Sequence, residues 1–100
     1  MYTLITAASS AKAYQLKNQK GGEHVLLGDY LELPEIMLKN GSMIKLPRPE
    51  SETYPHQMLA LCLDHSISTV YLLNTQENNA LSPALQLFEE YGITLINVHD

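Results

Sequence analysis

The chain has 100 residues, 45% of them hydrophobic, with six tyrosines, one phenylalanine, no tryptophan and a net charge of −5. A chain of this size buries about two-thirds of its unfolded surface in a single domain, here residues 1–100, and no apolar run approaches the roughly 18 residues that cross a bilayer. Six basic residues scattered along an acidic chain exclude a nucleic-acid track, and Cys62, the single cysteine, excludes an internal disulfide or a cysteine-rich zinc site.

The charge is uneven. Residues 1–20 hold Lys12, Lys17 and Lys20 and no acid, whereas residues 21–100 set three bases against eleven acids. Met1 leads straight into an apolar run with no charged n-region before it, so secretion is not expected. A reducing cytoplasm is the expected setting, with no membrane and no nucleic acid as partner.

The first run, "YTLITAA" at 2–8, reads as a strand and passes directly into small residues. A helix follows from about Ser10 to Lys20, with Ala13, Leu16 and Tyr14 as its inner stripe and Gly21-Gly22 as its stop. "HVLLGDY" at 24–30 is the second strand. "LELPEIMLKNG" suggests a helical turn from Pro34 to Asn40-Gly41, and "SMIKLP" at 42–47 is a brief third strand.

After the proline-bearing loop "LPRPESETYP", the segment "YPHQMLALCLDH" places Met58, Leu59, Leu61, Cys62 and Leu63 on one wide helical arc. His56, Gln57, Ala60 and Asp64 lie outside it. "TVYLLNT" at 69–75 is the fourth strand, "NTQENN" at 74–79 the polar connection after it, and "ITLINV" at 93–98 the fifth strand. Between them "SPALQLFEEYG" predicts a helix with Ser82 as cap, Pro83 in the first turn, Gly92 at the stop, and Ala84, Leu87, Phe88 and Tyr91 on one stripe. Its start can also lie a turn earlier, near Asn78 or Asn79.

Strands one, two and four are almost continuously apolar, as parallel strands covered on both faces must be. Alternating strands and helices joined by long connections require right-handed crossovers. The expected fold is therefore an α/β, three-layer Rossmann-like domain with a mainly parallel five-stranded sheet in the order 3-2-1-4-5. Its ligand crevice should lie beyond the carboxyl ends of strands one and four.

That crevice lacks the familiar glycines. The G-x-G-x-x-G spacing lands on Ala8, Ser10 and Ala13, whose Cβ atoms occupy space a pyrophosphate needs, and alanine and serine resist positive φ. Asp29 stands 21 positions after Ala8, where a ribose-binding acid would be, but it also suits the start of a turn. Ser9 and Ser10 can cap the first helix or, with Lys12, offer hydroxyls, amides and charge to an anion. Asn74, Thr75 and Gln76 supply the second half of a candidate ligand site, or an ordinary solvated connection with an Asn cap.

Catalytic chemistry finds no support. His24, His56, His65 and His99 show no metal-binding spacing, Cys62 sits among leucines as a core residue, and neither Ser9 nor Ser10 belongs to a G-x-S-x-G elbow. No catalytic residue, metal or cofactor is assigned, and no ATP hydrolysis is expected.

Taken together, "LITAASSAKAYQL", "VLLGDY", "TVYLLNT" and "LQLFEEYGITLINV" resemble the domain that precedes the ATP-grasp fold in biotin carboxylase, the large subunit of carbamoyl phosphate synthetase and related carboxylate-amine ligases. The resemblance spans nearly the whole chain and is carried most by the "GDY" end of the second strand and the "LFEEYGI" helix-to-strand turn. It implies a fold and a lineage more than an activity, because in that family the ATP site lies in the domains that follow. The leading expectation is a non-catalytic, stand-alone binding or assembly module, acting as a homodimer or with a separate ATP-grasp ligase. The alternative is a small-molecule or nucleotide sensor using Ser9, Ser10, Lys12, Asp29, Asn74, Thr75 and Gln76; an enzyme with an unrecognised site is a third. Strands three and five are the expected sheet edges, with the fifth as the contact in a two-fold dimer.

Overall fold

The computed structural model describes residues 2–7, 10–19, 24–30, 33, 35–39, 41 and 43–98. In chain order these form β1 (Tyr2–Ile5), α1 (Ala11–Gln19), β2 (Val25–Asp29), α2 (Glu35–Lys39), β3 (Met43–Lys45), α3 (Tyr54–Asp64), β4 (Ile67–Leu72), α4 (Thr75–Leu81), a 3-10 turn (Ser82–Ala84), α5 (Leu85–Glu90) and β5 (Thr94–Asn97). The five strands pair in the order β3-β2-β1-β4-β5, every pair parallel, which is the α/β Rossmann-like topology expected from the sequence.

Successive side chains of a strand point to opposite faces of the sheet. Leu4 and Ile5 of β1 are both fully buried, and they enter different cores. Leu4 joins Tyr54, Met58, Cys62, Val70, Leu81 and Phe88 under α3, α4 and α5. Ile5 joins Ala13, Leu27, Leu33 and Met43 on the face covered by α1 and α2. Two covered faces explain the near-continuous apolar runs of the central strands.

Gly28 of β2 is required by proximity. A Cβ at this position would stand 2.9 Å from Cγ and Cδ2 of Leu46 and 3.2 Å from the carbonyl oxygen of Ile44. The missing side chain lets Leu46, the residue after β3, close over β2 and bury itself in the larger core.

Three sequence expectations change at the C-terminal half. β4 begins at Ile67, two residues before the run that announced it, because Ile67 pairs with Tyr2 across the central ladder, and it ends at Leu72. The "NTQENN" connection is not a loop: Asn74 caps α4, and the following residues are its first turns. The helical segment therefore begins at Thr75, and Ser82 is not its cap but the start of the 3-10 turn that divides α4 from α5. Pro83 explains the break, since it has no N–H to donate to the preceding turn and its ring crowds the carbonyl there. Ser82 Oγ donates to the carbonyl of Asn78 at 2.8 Å and keeps the chain helical up to the proline.

Two apolar stripes are also narrower than the spacing predicted. Phe88 is fully buried while Tyr91 is 55% exposed, and on α3 Met58, Leu59 and Cys62 are buried while Leu63 is half exposed. On α1, Ala13 is buried, Leu16 half-buried and Tyr14 exposed. Gly41 and Gly92 take the positive φ expected of their stops, at +79° and +76°. The predicted stops at Lys20, Gly21-Gly22 and Asn40, the start at Pro34 and the terminal His99-Asp100 lie outside the described residues. No helix among the described residues is long and apolar enough to cross a membrane.

Candidate functional site

The sheet order reverses its winding between β1 and β4, so the crevice lies where these strands end. Thr6 follows β1 there and is fully buried. Its amide donates to the carbonyl of Tyr71 at 3.1 Å, and its hydroxyl oxygen accepts from the amide of Leu73 at 3.0 Å, which holds the ends of β1 and β4 together one step beyond the strands themselves.

The next residue turns the chain. Ala7 sits at φ +55°, in the left-handed region, and its carbonyl accepts from the amide of Ser10 at 2.9 Å. The sequence suggested that alanine would avoid such a conformation, which costs about 1–2 kcal/mol for a residue with a Cβ. The fold imposes it nonetheless, one residue ahead of the position that the glycine spacing marked. Ser10 then caps α1, accepting at its Oγ from the amide of Ala13 at 3.2 Å. Ala13, at the third glycine position, is fully buried, and its small side chain suits close packing of α1 on the sheet. Lys12 is half-buried in the first turn of α1. Ser9 and Ala8 lie outside the described residues.

On the other side of the crevice, Asn74 is half-buried and its Oδ1 accepts from the amides of Gln76 at 2.8 Å and Glu77 at 3.4 Å. Its Nδ2 donates to the hydroxyl of Tyr30, the residue after β2, at 3.4 Å. Thr75 and Gln76 are exposed in the first turn of α4. Asp29, at the end of β2, is 3% exposed, so it is a buried acid and not an open turn residue. Of the residues singled out from the sequence, Asn74 and Asp29 are thus joined to one cluster, through Tyr30 in the first case and through the charge of Glu77 in the second.

Glu77, which the sequence reading passed over inside the polar run, is the centre of that cluster. It is 1% exposed. Its Oε2 accepts from the hydroxyl of Tyr54, the fully buried first residue of α3, at 3.2 Å, whereas Oε1 has no hydrogen-bond partner among the described residues. Burial disfavours the carboxylate and pushes the Glu77 acid up to about 7; the Tyr54 and Thr6 hydroxyls favour the charged form and oppose the shift, and the charge of Asp29 adds to it. Tyr54 in turn is held far above the ordinary phenol range, by burial first and then by the carboxylate beside it.

Cys62 behaves as the core residue expected, its thiol pushed up to about 12 by burial. No group of three or more His, Cys, Asp or Glu side chains among the described residues gathers to hold a metal. A separate apolar cavity of about 180 Å³ lies between α4, α5 and the ends of β4 and β5, lined by Leu72, Leu81, Leu85 and Leu95 with Asn78 and Asn97. None of Thr6, Asp29, Tyr54 or Glu77 lines it.

No family model matches the chain, and no curated protein matches it. Solved structures do. L-Threonine dehydrogenase from Clostridium difficile superposes with a TM-score of 0.66 at 15% identity over 96% of this chain, and L-threonine 3-dehydrogenase from Trypanosoma brucei with 0.64 at 17% over 95%. This chain spans 35% of each of those proteins. At such identity the likeness is one of fold, and it supports the Rossmann-like part of the resemblance seen in the sequence.

Proposed function

We propose that this domain is a small-molecule binding module with no chemistry of its own, whose ligand enters the crevice at the carboxyl ends of β1 and β4. One observation carries the reading. Polar side chains from four separate stretches, Thr6, Asp29 with Tyr30, Tyr54, and Asn74 with Glu77, converge at the strand ends, in an interior whose other buried side chains are apolar among the described residues. Burying polar groups costs free energy unless they are fully bonded, so a cluster of this kind at a switch point is better explained by binding than by stability.

A thermal-shift panel of amino acids, amines, nucleotides and phosphorylated metabolites tests it. A specific ligand at 100 times its Kd should stabilise the domain by about 2.7 kcal/mol. Gln76→Trp, which places a bulky ring on the exposed first turn of α4, should abolish the gain while leaving the free protein folded. A panel in which no compound stabilises, or in which Gln76→Trp changes nothing, would remove the reading.

A second reading concerns assembly. β5 is an edge strand with Leu95 and Ile96 half-buried, and Leu85 at the start of the adjoining α5 and Tyr91 just after its end are exposed. These features favour a two-fold dimer in which β5 pairs with β5 of a second copy. A separate ATP-grasp ligase as partner rests on the sequence resemblance alone. Light scattering from micromolar to near-millimolar protein should report a dimer that Ile96→Lys disrupts; a monomer throughout would exclude self-association.

A further inference from the structure

We propose that the cavity between α4, α5 and the ends of β4 and β5 is a second binding site, which takes a small uncharged molecule with an apolar body of about six carbons and one hydroxyl or amide end. The site does not depend on the crevice between β1 and β4, and the fold explains why it exists. Pro83 breaks the helical segment into α4 and α5, and the sheet ends at β5, so the corner where they meet is left unfilled. Val70 pairs in register with Leu95 and Leu72 with Asn97, so all four stand on the face that these helices cover. A polar residue thus occupies the last position of β5 on a face where the pattern calls for an apolar one.

The cavity holds about 180 Å³. Protein interiors seldom leave a void larger than a water molecule, and an engineered cavity of about 150 Å³ with apolar walls stays dry and accepts benzene. Leu72 and Leu81 are buried and form the inner wall, with Leu95 half-buried beside them. The mouth is open to solvent. Leu85 there is 43% exposed, and Ser82 and Asn97 are exposed as well, so a ligand can enter without disturbing the core.

The lining decides the ligand class. Leucine walls offer a water molecule no hydrogen bonds. No side chain among the described lining residues is charged, so a carboxylate, ammonium or phosphate would shed its hydration with no ion pair in return. The rim fixes the polar end. Half-buried Asn78 brings an amide that both donates and accepts, and the Ser82 hydroxyl, which donates to the Asn78 carbonyl at 2.8 Å, keeps lone pairs for an incoming donor. A hydroxyl or an amide answers both groups, whereas a plain hydrocarbon answers neither.

Titration of the whole chain with hexanol and hexanamide, read from leucine methyl signals by NMR, tests the proposal against hexanoate and hexylamine as charged counterparts. Both neutral compounds should shift the methyls of Leu72, Leu81, Leu85 and Leu95 saturably and bind at least tenfold more tightly than either charged one. Leu85→Trp, which fills the mouth from an exposed position, should weaken binding tenfold or more. Asn78→Ala should weaken hexanamide about fivefold, the worth of one hydrogen bond, and leave benzene unaffected. Gln76→Trp, on the crevice side, should change nothing. Hexanamide binding lost in Gln76→Trp but kept in Leu85→Trp would move the ligand to the crevice and overturn the second site. Charged compounds binding as well as neutral ones would overturn the ligand class. Methyl shifts that follow protein concentration with no ligand present would give the cavity to a second copy of the chain and overturn the proposal. No saturable shift of the four leucines would also overturn it, and the crevice reading would stand or fall separately by its own panel.

Discussion

The two helices that begin at the crevice solve the same problem differently. α1 starts with a side-chain cap from Ser10 and packs by means of a buried alanine, after a turn in which Ala7 accepts a strained backbone. α4 starts with a cap from Asn74 and then directs the next acid, Glu77, into the interior, where only one of its oxygens is bonded among the described residues. The cost on the α1 side lies in backbone conformation. On the α4 side it lies in an ionisable group with an unsatisfied atom. A strained turn can be relieved by a change of residue, whereas an unsatisfied acceptor can also be relieved by a ligand, which is why the α4 side is the place to look for one.

Substitutions can break this contrast, beginning with the largest effect. The folded protein holds Glu77 at about 7 against an ordinary value of 4.5, so the folded state binds more protons than the unfolded one and loses stability as pH rises. The loss begins above the unfolded value, is largely complete above about pH 8, and amounts to roughly 3 kcal/mol. Glu77→Gln should remove it. Urea unfolding at pH 5 and pH 8.5 should show a variant whose stability varies less with pH than that of the natural chain and exceeds it at the alkaline end.

Tyr54→Phe comes next. It removes the donor to Oε2 and leaves a second buried oxygen unpartnered, at a cost of about 1–3 kcal/mol that is greatest at alkaline pH, where the carboxylate is charged. Urea unfolding at the same two pH values should show that widening. Asn74→Ala removes the cap of α4 and the bond to Tyr30, with a loss of about 1 kcal/mol measured by the same unfolding. Smallest is the change on the other helix. Ala7→Gly should raise stability by up to about 1 kcal/mol, because glycine takes φ +55° without strain, although it has more freedom to lose on folding. A thermal melt showing Ala7→Gly to be destabilising would mean that the turn is held by the alanine methyl and not merely tolerated by it.

These outcomes bear on what the sequence could disclose. The strand order follows from elements of the right period separated by connections too long for hairpins, and the five runs specify it well. Met58, Leu59 and Cys62 of the α3 arc are likewise buried as the local pattern indicates, though the arc reached too far in taking in Leu63, and the Ser10 cap needs nothing beyond a serine before an amphipathic run. The site was less legible. Asn74 and Glu77 have capping-box spacing, and in a capping box the glutamate turns back to the helix start at the surface. Its inward turn depends on Tyr54, 23 positions earlier on another helix, and on Thr6, 71 positions earlier just after β1. No window along the chain contains that arrangement. Ala7 was hidden for a related reason, since propensity disfavours alanine at positive φ and only the tie between Thr6, Tyr71 and Leu73 fixes where the turn must fall.

The central claim is that Glu77 is a buried acid poised near neutrality with one oxygen left for a donor. A carbon-13 NMR titration of its side-chain carboxyl carbon in the whole chain measures this directly. The account predicts a midpoint near 7 that rises in Tyr54→Phe, because the Tyr54 hydroxyl favours the carboxylate. A midpoint near the ordinary 4.5, unmoved by Tyr54→Phe, would contradict it.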